Sequence, residues 1–345
     1  MPLVSGTWNR LLQVDALRRS SQALVALSDK VAVFGGEIRP RQPVDNHVHI
    51  IPIGNAGEAP IRSVKSEGTS PSPRVGTAAI SLKDELFLFS GRGGEAMAPI
   101  EEHGALWSFD TASFKWSLIT PADSEAPFPP ARSYHALGSD GNGTIFLHAG
   151  CPEAGRLSDL WSFTLSTRSW KKLADAPDPP RGGTSIAFLD GKLYRMNGFD
   201  GKTEQGGTLD VYYPKTNSWS SIEFPPDGHH GPEPRSVAAL LAVYVAQGPS
   251  LLTLFGERDP SPLGHMGAGK MLDDAWLFDL GSEKWSKIQI SGAEKNVSES
   301  CNPQARGWFS ATVQNAEPPT TVFVHGGLGE DNERLGDLWR LDFGP

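Results

Sequence analysis

The chain has 345 residues, of which 38% are hydrophobic, 38 are Gly and 28 are Pro, a texture suited to one large core built from many short strands and turns. Its formal net charge of −9 at pH 7 argues against nucleic acid and against an anionic membrane surface as partners. Two cysteines, Cys151 and Cys301, form no disulfide framework and point to a reducing, cytoplasmic setting; the N-terminus MPLVSGTWNRLLQVDALRR reads as no secretion signal, and no apolar run approaches the roughly 20 residues of a membrane span.

In chain order, the first element is a short strand, GTWNRLL, near residues 7–12, with Trp8 and no neighbouring strand to pair with. Six repeated units follow at a spacing of roughly 50 residues. Each opens with a small apolar strand, such as TSIAFL or AALLAV. A second apolar strand ends at a glycine: VAVFGGE at Gly36, LFLFSGR at Gly91, IFLHAGC at Gly150, LYRMNGF at Gly198, LTLFGER at Gly256 and VFVHGGL at Gly327. A third strand holds the phrase LWSFD or a variant. A fourth begins near a late Trp, as in LWSFDTASFKW, LWSFTLSTRSW and AWLFDLGSEKW. The sixth unit stops at GDLWRLDFGP, which is its third strand. The N-terminal strand supplies the missing fourth. The pattern predicts an all-β, six-bladed β-propeller, its last blade closed by the N-terminal strand, as a single domain over residues 1–345.

The repeat also places side chains. The start of each first strand and the loop after each second strand lie on one face of such a ring. One arginine opens each unit: Arg19, Arg74, Arg132, Arg181, Arg235 and Arg306, 17 or 18 residues before the glycine in four units and 21 in the last two. Glu37, Arg92, Phe199 and Glu257 directly follow their glycines, and Trp308 sits two residues into the sixth first strand. A ring of guanidiniums at the mouth of an acidic protein is expected to hold an anion, because the planar fork matches sulfate, phosphate or carboxylate. The competing use is pairing with carboxylates or carbonyls of neighbouring blades. The stretch LTLFGERDPSPLGHMGAG sets Glu257, Asp259, Ser261 and His265 in one loop, oxygen and imidazole donors of the kind that suit Fe(II).

These repeats resemble the kelch family over essentially the whole chain. FGGEIRPRQPVDNH, RGWFSATV, HGGLGEDNERLGDLW and GERDPSPLGHMGAG are similar to one branch of it, the plant nitrile-specifier, epithiospecifier and thiocyanate-forming proteins. That resemblance implies an iron triad of Glu, Asp four residues on and His four further. Here Glu257 and His265 match, the middle position is Ser261, and Asp259 lies two residues earlier. It further implies a non-haem iron lyase acting on an anionic sulfur-containing small molecule of the glucosinolate-aglycone kind. The sulfate would lie on Arg92 and Arg132, with Trp308 walling the pocket. Arg19, Arg74, Arg181, Arg235, Arg306, Glu37 and Phe199 would complete the lining. Kelch adaptor domains imply the alternative, a non-enzymatic module that grips an acidic peptide or metabolite. The enzyme is favoured, an anionic small molecule is the expected partner, and a homodimer is left open.

Overall fold

The computed structural model describes residues 4–54, 60–66, 68–292, 302–314 and 318–344. Among them the chain is all-β apart from two single-turn 3₁₀ helices, and no helix is long and apolar enough to cross a membrane. The strands form small antiparallel sheets in the manner of a β-propeller. Six sheets have inner strands at Ser20–Ala26, Ala78–Leu82, Ala136–Ser139, Ser185–Leu189, Ala239–Val245 and Ser310–Val313. In each, strands follow outward in chain order. The exception is the last position of the sixth sheet, taken by Ser5–Gln13, which pairs antiparallel with Asp337–Phe343. Gln289–Gly292 adds a parallel strand outside it.

The period-2 patterning of the strands explains where the core lies. Alternate side chains point to opposite faces, and each sheet has a neighbour on both sides, so both faces are apolar. Among the described residues the buried apolar side chains fall into six clusters, each filled mainly from two adjacent sheets. One joins Val243, Leu252 and Phe255 of the fifth sheet to Trp8, Trp339 and Leu341 of the sixth. Another joins Leu24 and Val33 of the first sheet to Phe323 and Leu338 of the sixth. Burying side chains of this size is worth about 1.5–3 kcal/mol each.

At the start of every inner strand sits a buried arginine. Its guanidinium Nη1 donates to the carbonyl of the residue just before the glycine that ends the second strand. These bonds run from Arg19 to Gly35 (3.0 Å), Arg74 to Ser90 (2.9 Å), Arg132 to Ala149 (3.0 Å), Arg181 to Asn197 (3.2 Å), Arg235 to Phe255 (3.0 Å) and Arg306 to Gly326 (3.0 Å). In four sheets a carboxylate at the head of the third strand completes the clamp: Glu102, Asp159, Asp274 and Asp337, at 2.6–2.8 Å. Each of these acids also accepts the indole N–H of a third-strand Trp, namely Trp107, Trp161, Trp276 and Trp339. Arg19 instead meets His49 (3.1 Å) and Asp45 (3.7 Å). Arg181 has no carboxylate within ion-pair distance among the described residues; burial and the nearby Arg195 charge bring its pKa down to about 10.

Two residues beyond each arginine the backbone turns left-handed, at Ser21, Gly76, Tyr134, Gly183, Val237 and Trp308. The N–H of each donates to the carbonyl of the equivalent residue in the neighbouring sheet: Gly76 to Ser21, Tyr134 to Gly76, Gly183 to Tyr134, Val237 to Gly183, Trp308 to Val237 and Ser21 to Trp308, at 2.7–3.2 Å. The six bonds return to their starting point. At Gly76 the packing admits no side chain, since a Cβ would come within 2.8 Å of the Tyr134 ring.

This arrangement corrects the expectation drawn from the six arginines. Arg19, Arg74, Arg132, Arg181, Arg235 and Arg306 are buried, with relative exposures of 0–4%, and hold strands together beneath the mouth. The reason is local. The arginine precedes the left-handed residue, and its side chain runs back along the second strand instead of out to solvent.

Asp274→Ala should therefore destabilise the protein by about 3–5 kcal/mol in urea unfolding, because it strands the Arg235 guanidinium without its partner. Burial alone would raise Asp274, but the Arg235 bonds and charge with the Trp276 N–H outweigh it, and the carboxyl sits below its ordinary value. A depressed acid stabilises the fold above that value, about 4, and the contribution is lost as pH falls through the folded-state pKa. The variant should thus differ most from wild type at neutral pH and converge on it in acid.

Candidate functional site

The clamps raise a two-layered wall around the mouth. The residue after each arginine pairs with the residue after each glycine: Ser20 with Glu37, Val75 with Arg92, Ser133 with Cys151, Gly182 with Phe199, Ser236 with Glu257, and Gly307 with Leu328. All six residues that follow the glycines line one cavity of about 430 Å³. Its floor is the left-handed belt. Tyr134, Gly183, Val237 and Trp308 line both this cavity and a second one of about 220 Å³ beneath it. The rings of Tyr134 and Trp308 meet edge to face, with centroids 5.2 Å apart. Trp308 precedes the inner strand instead of lying within it, as the sequence had suggested. A bulky residue at φ 57° is strained, and the belt hydrogen bonds hold it there.

The wall is charged, with residues of both signs. In the sector of the sixth and first sheets, Arg334 and Glu37 face each other at 3.4 Å, and Glu37 also accepts the Arg41 backbone N–H at 2.6 Å. Burial raises the Glu37 pKa, partly offset by those partners.

In the second and third sheets the cavity is lined by Arg92 and Arg156. Arg92 donates only to neutral oxygens: Ser133 Oγ (3.2 Å), Met97 O (2.9 Å) and Pro152 O (3.1 Å). Arg156 lies over the Phe199 ring at 5.0 Å, and its buried Nε has no hydrogen-bond partner. Neither guanidinium has a carboxylate within ion-pair distance among the described residues. The Cys151 thiol also lines this sector and is held above its ordinary pKa by burial, against the pull of both cations.

In the fourth and fifth sheets the lining carries Glu204 and Glu257. Glu257 is 5% exposed; its Oε1 accepts the Gly269 N–H (2.7 Å) and its Oε2 the Trp308 indole N–H (3.0 Å). Burial raises its pKa. Burial also raises Glu204, helped by the charges of Glu257 and Asp259, and Glu204 Oε1 is buried without a partner.

The loop after Glu257 disperses the donors grouped in sequence. Asp259 turns to Arg258 (3.1 Å), which also pairs with Glu233. Ser261 lines the cavity, with its Oγ accepting the Leu263 N–H at 3.2 Å. The side chain of His265 lies outside the described residues, as does Cys301. Among the described residues no three His, Cys, Asp or Glu side chains converge to hold a metal. Glu257 already satisfies two hydrogen-bond donors, and a neutral hydroxyl is a poor substitute for a carboxylate. Glu257, Asp259 and Ser261 by themselves do not make the ligand set of Fe(II).

Of the residues singled out from sequence, Glu37, Arg92, Phe199, Glu257, Ser261 and Trp308 meet around one cavity, whereas the six strand-opening arginines and Asp259 do not line it. Arg156, Glu204 and Arg334 were missed. Each lies six or seven residues past its glycine, beyond the single position that the repeat marks.

The sequence pattern described as the KLHDC2/KLHL20/DRC7 Kelch-repeats domain matches residues 21–256 and 93–317. The chain belongs to the kelch-repeat family. This kelch-repeat protein is 25% identical to the N-(sulfonatooxy)prop-2-enimidothioate sulfolyase of Thlaspi arvense, an alignment covering 97% of each chain. It is 24% identical to the leucine-zipper-like transcriptional regulator 1 homolog of Drosophila melanogaster over 97% of its own length but 32% of that protein's. It is 28% identical to host cell factor 2 of Homo sapiens over 66% of its own length and 29% of that protein's. The kelch resemblance read from the sequence therefore holds, and the likeness to a sulfolyase runs along nearly the whole chain.

A buried acid whose pKa is raised stabilises the fold only below its ordinary value, and that contribution is lost as pH rises through the folded-state pKa. Glu257→Gln is accordingly expected to melt at a higher temperature than wild type at pH 7 and at the same temperature near pH 4. Equal melting temperatures at both pH values would show that the carboxylate carries no desolvation penalty.

Proposed function

We propose that the chain is a six-bladed propeller, a single unit over residues 1–345 closed by its N-terminal strand, which takes a small sulfur-containing anion into its mouth cavity and promotes departure of the anionic group. The pairing of Ser5–Gln13 with Asp337–Phe343 and the cyclic belt of hydrogen bonds support the architecture. The observation that carries the function is the pair Arg92 and Arg156, two guanidiniums on the wall of an aromatic-floored cavity with no carboxylate in ion-pair contact among the described residues, Asp200 acting on Arg156 only from longer range. Such a pair binds a sulfate or sulfonate in bidentate fashion and stabilises it as negative charge develops on leaving. Trp308, Tyr134 and Phe199 supply an apolar surface for the remainder of the molecule. The likeness to a sulfolyase points the same way. A second reading, a binding module without turnover, is favoured by the dispersal of Asp259 and Ser261 away from any shared ligand position.

An N-(sulfonatooxy)imidothioate generated in situ is the direct test. Wild type is expected to accelerate sulfate release and to shift the products towards the nitrile, with the thiolate sulfur leaving as elemental sulfur, and Arg156→Met and Arg92→Met should each lose about 10²–10³-fold in rate. A product distribution identical to that in buffer would leave only the binding module. Anaerobic calorimetry with Fe(II) on wild type and Glu257→Ala runs beside it; micromolar binding that vanishes in the variant would show that the loop assembles a metal site after all.

A further inference from the structure

The cavity is lined by charges of both signs, and among the described residues Arg92 and Arg156 form no ion pair with Glu204 or Glu257. Travelling round the ring, the second and third sheets contribute Arg92 and Arg156, the fourth and fifth contribute Glu204 and Glu257, and the sixth and first contribute the Arg334–Glu37 pair, which satisfies itself. Among the described residues Arg92 donates to neutral oxygens, and Arg156 lies on the Phe199 ring beside Gly201, with the Asp200 charge nearby but not in ion-pair contact. Glu257 meets only a backbone N–H and an indole N–H. Glu204 is half-buried, with one carboxyl oxygen enclosed and unpartnered. Glu153, on the loop that carries Arg156, also lines the cavity; it is exposed, and among the described residues it makes no ion pair with either guanidinium. The Arg92 bonds to Met97 and Pro152 and the Glu257 bonds to Gly269 and Trp308 hold these two side chains in place.

We propose that the occupant of this cavity is a dipolar small molecule, whose sulfonate or sulfate lies on Arg92 and Arg156 and whose positively charged nitrogen lies against Glu204 and Glu257. The proposal rests on the anion reading above and adds a positively charged nitrogen to the preferred member of that substrate class. The anionic end alone would leave two buried carboxyls facing an apolar or negatively charged neighbour, which costs binding. A cationic end converts them into charge-assisted partners. The aromatic floor between the two poles suits a short apolar linker.

Taurine and its longer-chain homologues, titrated by calorimetry against the matched alkanesulfonates with a chelator present, decide it. The chelator keeps a metal ion from filling the acidic end. At the best chain length the amine is expected to tighten binding by about tenfold or more, the size of one charge-assisted hydrogen bond. Glu204→Gln, at a half-buried position that tolerates an isosteric amide, should bring the ratio of the two affinities close to one, as should Glu257→Gln. Arg156→Met should weaken both ligands. If alkanesulfonates bind and the amine adds nothing or weakens binding, the dipolar proposal is overturned while the anion reading stands. If neither class binds, both are overturned together.

Discussion

A buried guanidinium clamps the first two strands of each sheet, and the shape of the mouth depends on it. One Nη–H reaches the carbonyl just before the closing glycine, a position whose own backbone is left-handed, as at Ser90, Asn197 and Phe255. The following glycine continues the turn; at Gly256 a Cβ would sit 2.8 Å from Ala238 and 2.9 Å from the Ser236 carbonyl. Only after these two unusual residues does the chain return to pair with the residue beyond the arginine. Arginine, left-handed carbonyl and glycine therefore form one device. Its output is the position of the next side chain, at Glu37, Arg92, Cys151, Phe199, Glu257 and Leu328. Lysine could not replace the arginine, because a single ammonium lacks the planar fork that binds the carbonyl and the third-strand carboxylate together.

The clamp also decides which charges are available to a ligand. Four of the six arginines are neutralised by Glu102, Asp159, Asp274 and Asp337 within 3 Å, and those acids are locked in turn by indole N–H groups. A guanidinium so bound has little attraction left for a ligand. Arg92 and Arg156 come from the loops above this layer, with carbonyls and an aromatic face as neighbours. In a chain of net charge −9 they create a local positive field that the whole-molecule charge conceals.

Much of this is legible in the sequence. The Trp and Gly phrases carry the repeat because each sheet buries the same positions, and the missing last strand is visible as an orphan at Trp8. The residue after each glycine could be placed because backbone pairing alone sets it. The role of the arginines was misjudged, although the signal was present in SDLW, DDAW and GDLW, where an acid stands two residues before a Trp and so heads the third strand beside the arginine. Arg156, Glu204 and Arg334 lie farther out in loops of unequal length. There no periodicity constrains the chain, and local turns such as the Asp200 bonds to the Lys202 and Thr203 N–H groups decide where side chains point. The loop after Glu257 failed for the same reason: closeness in sequence between Glu257, Asp259 and Ser261 did not become closeness of their oxygens, because Arg258 draws Asp259 outward.

The two layers divide the work between stability and function. Below, strained left-handed residues and buried ions are tolerated because each is tied to several partners, and the belt closes on itself. Above, Glu204, Glu257 and Arg156 are desolvated with few partners, an arrangement that costs stability and is sustained only because the layer beneath is over-determined. A mouth built this way can change what it binds by changing loop residues while the clamps stay as they are. The consequence for specificity is that the chemistry of the ligand is written in the charges left unpaired, and in this chain those charges have both signs.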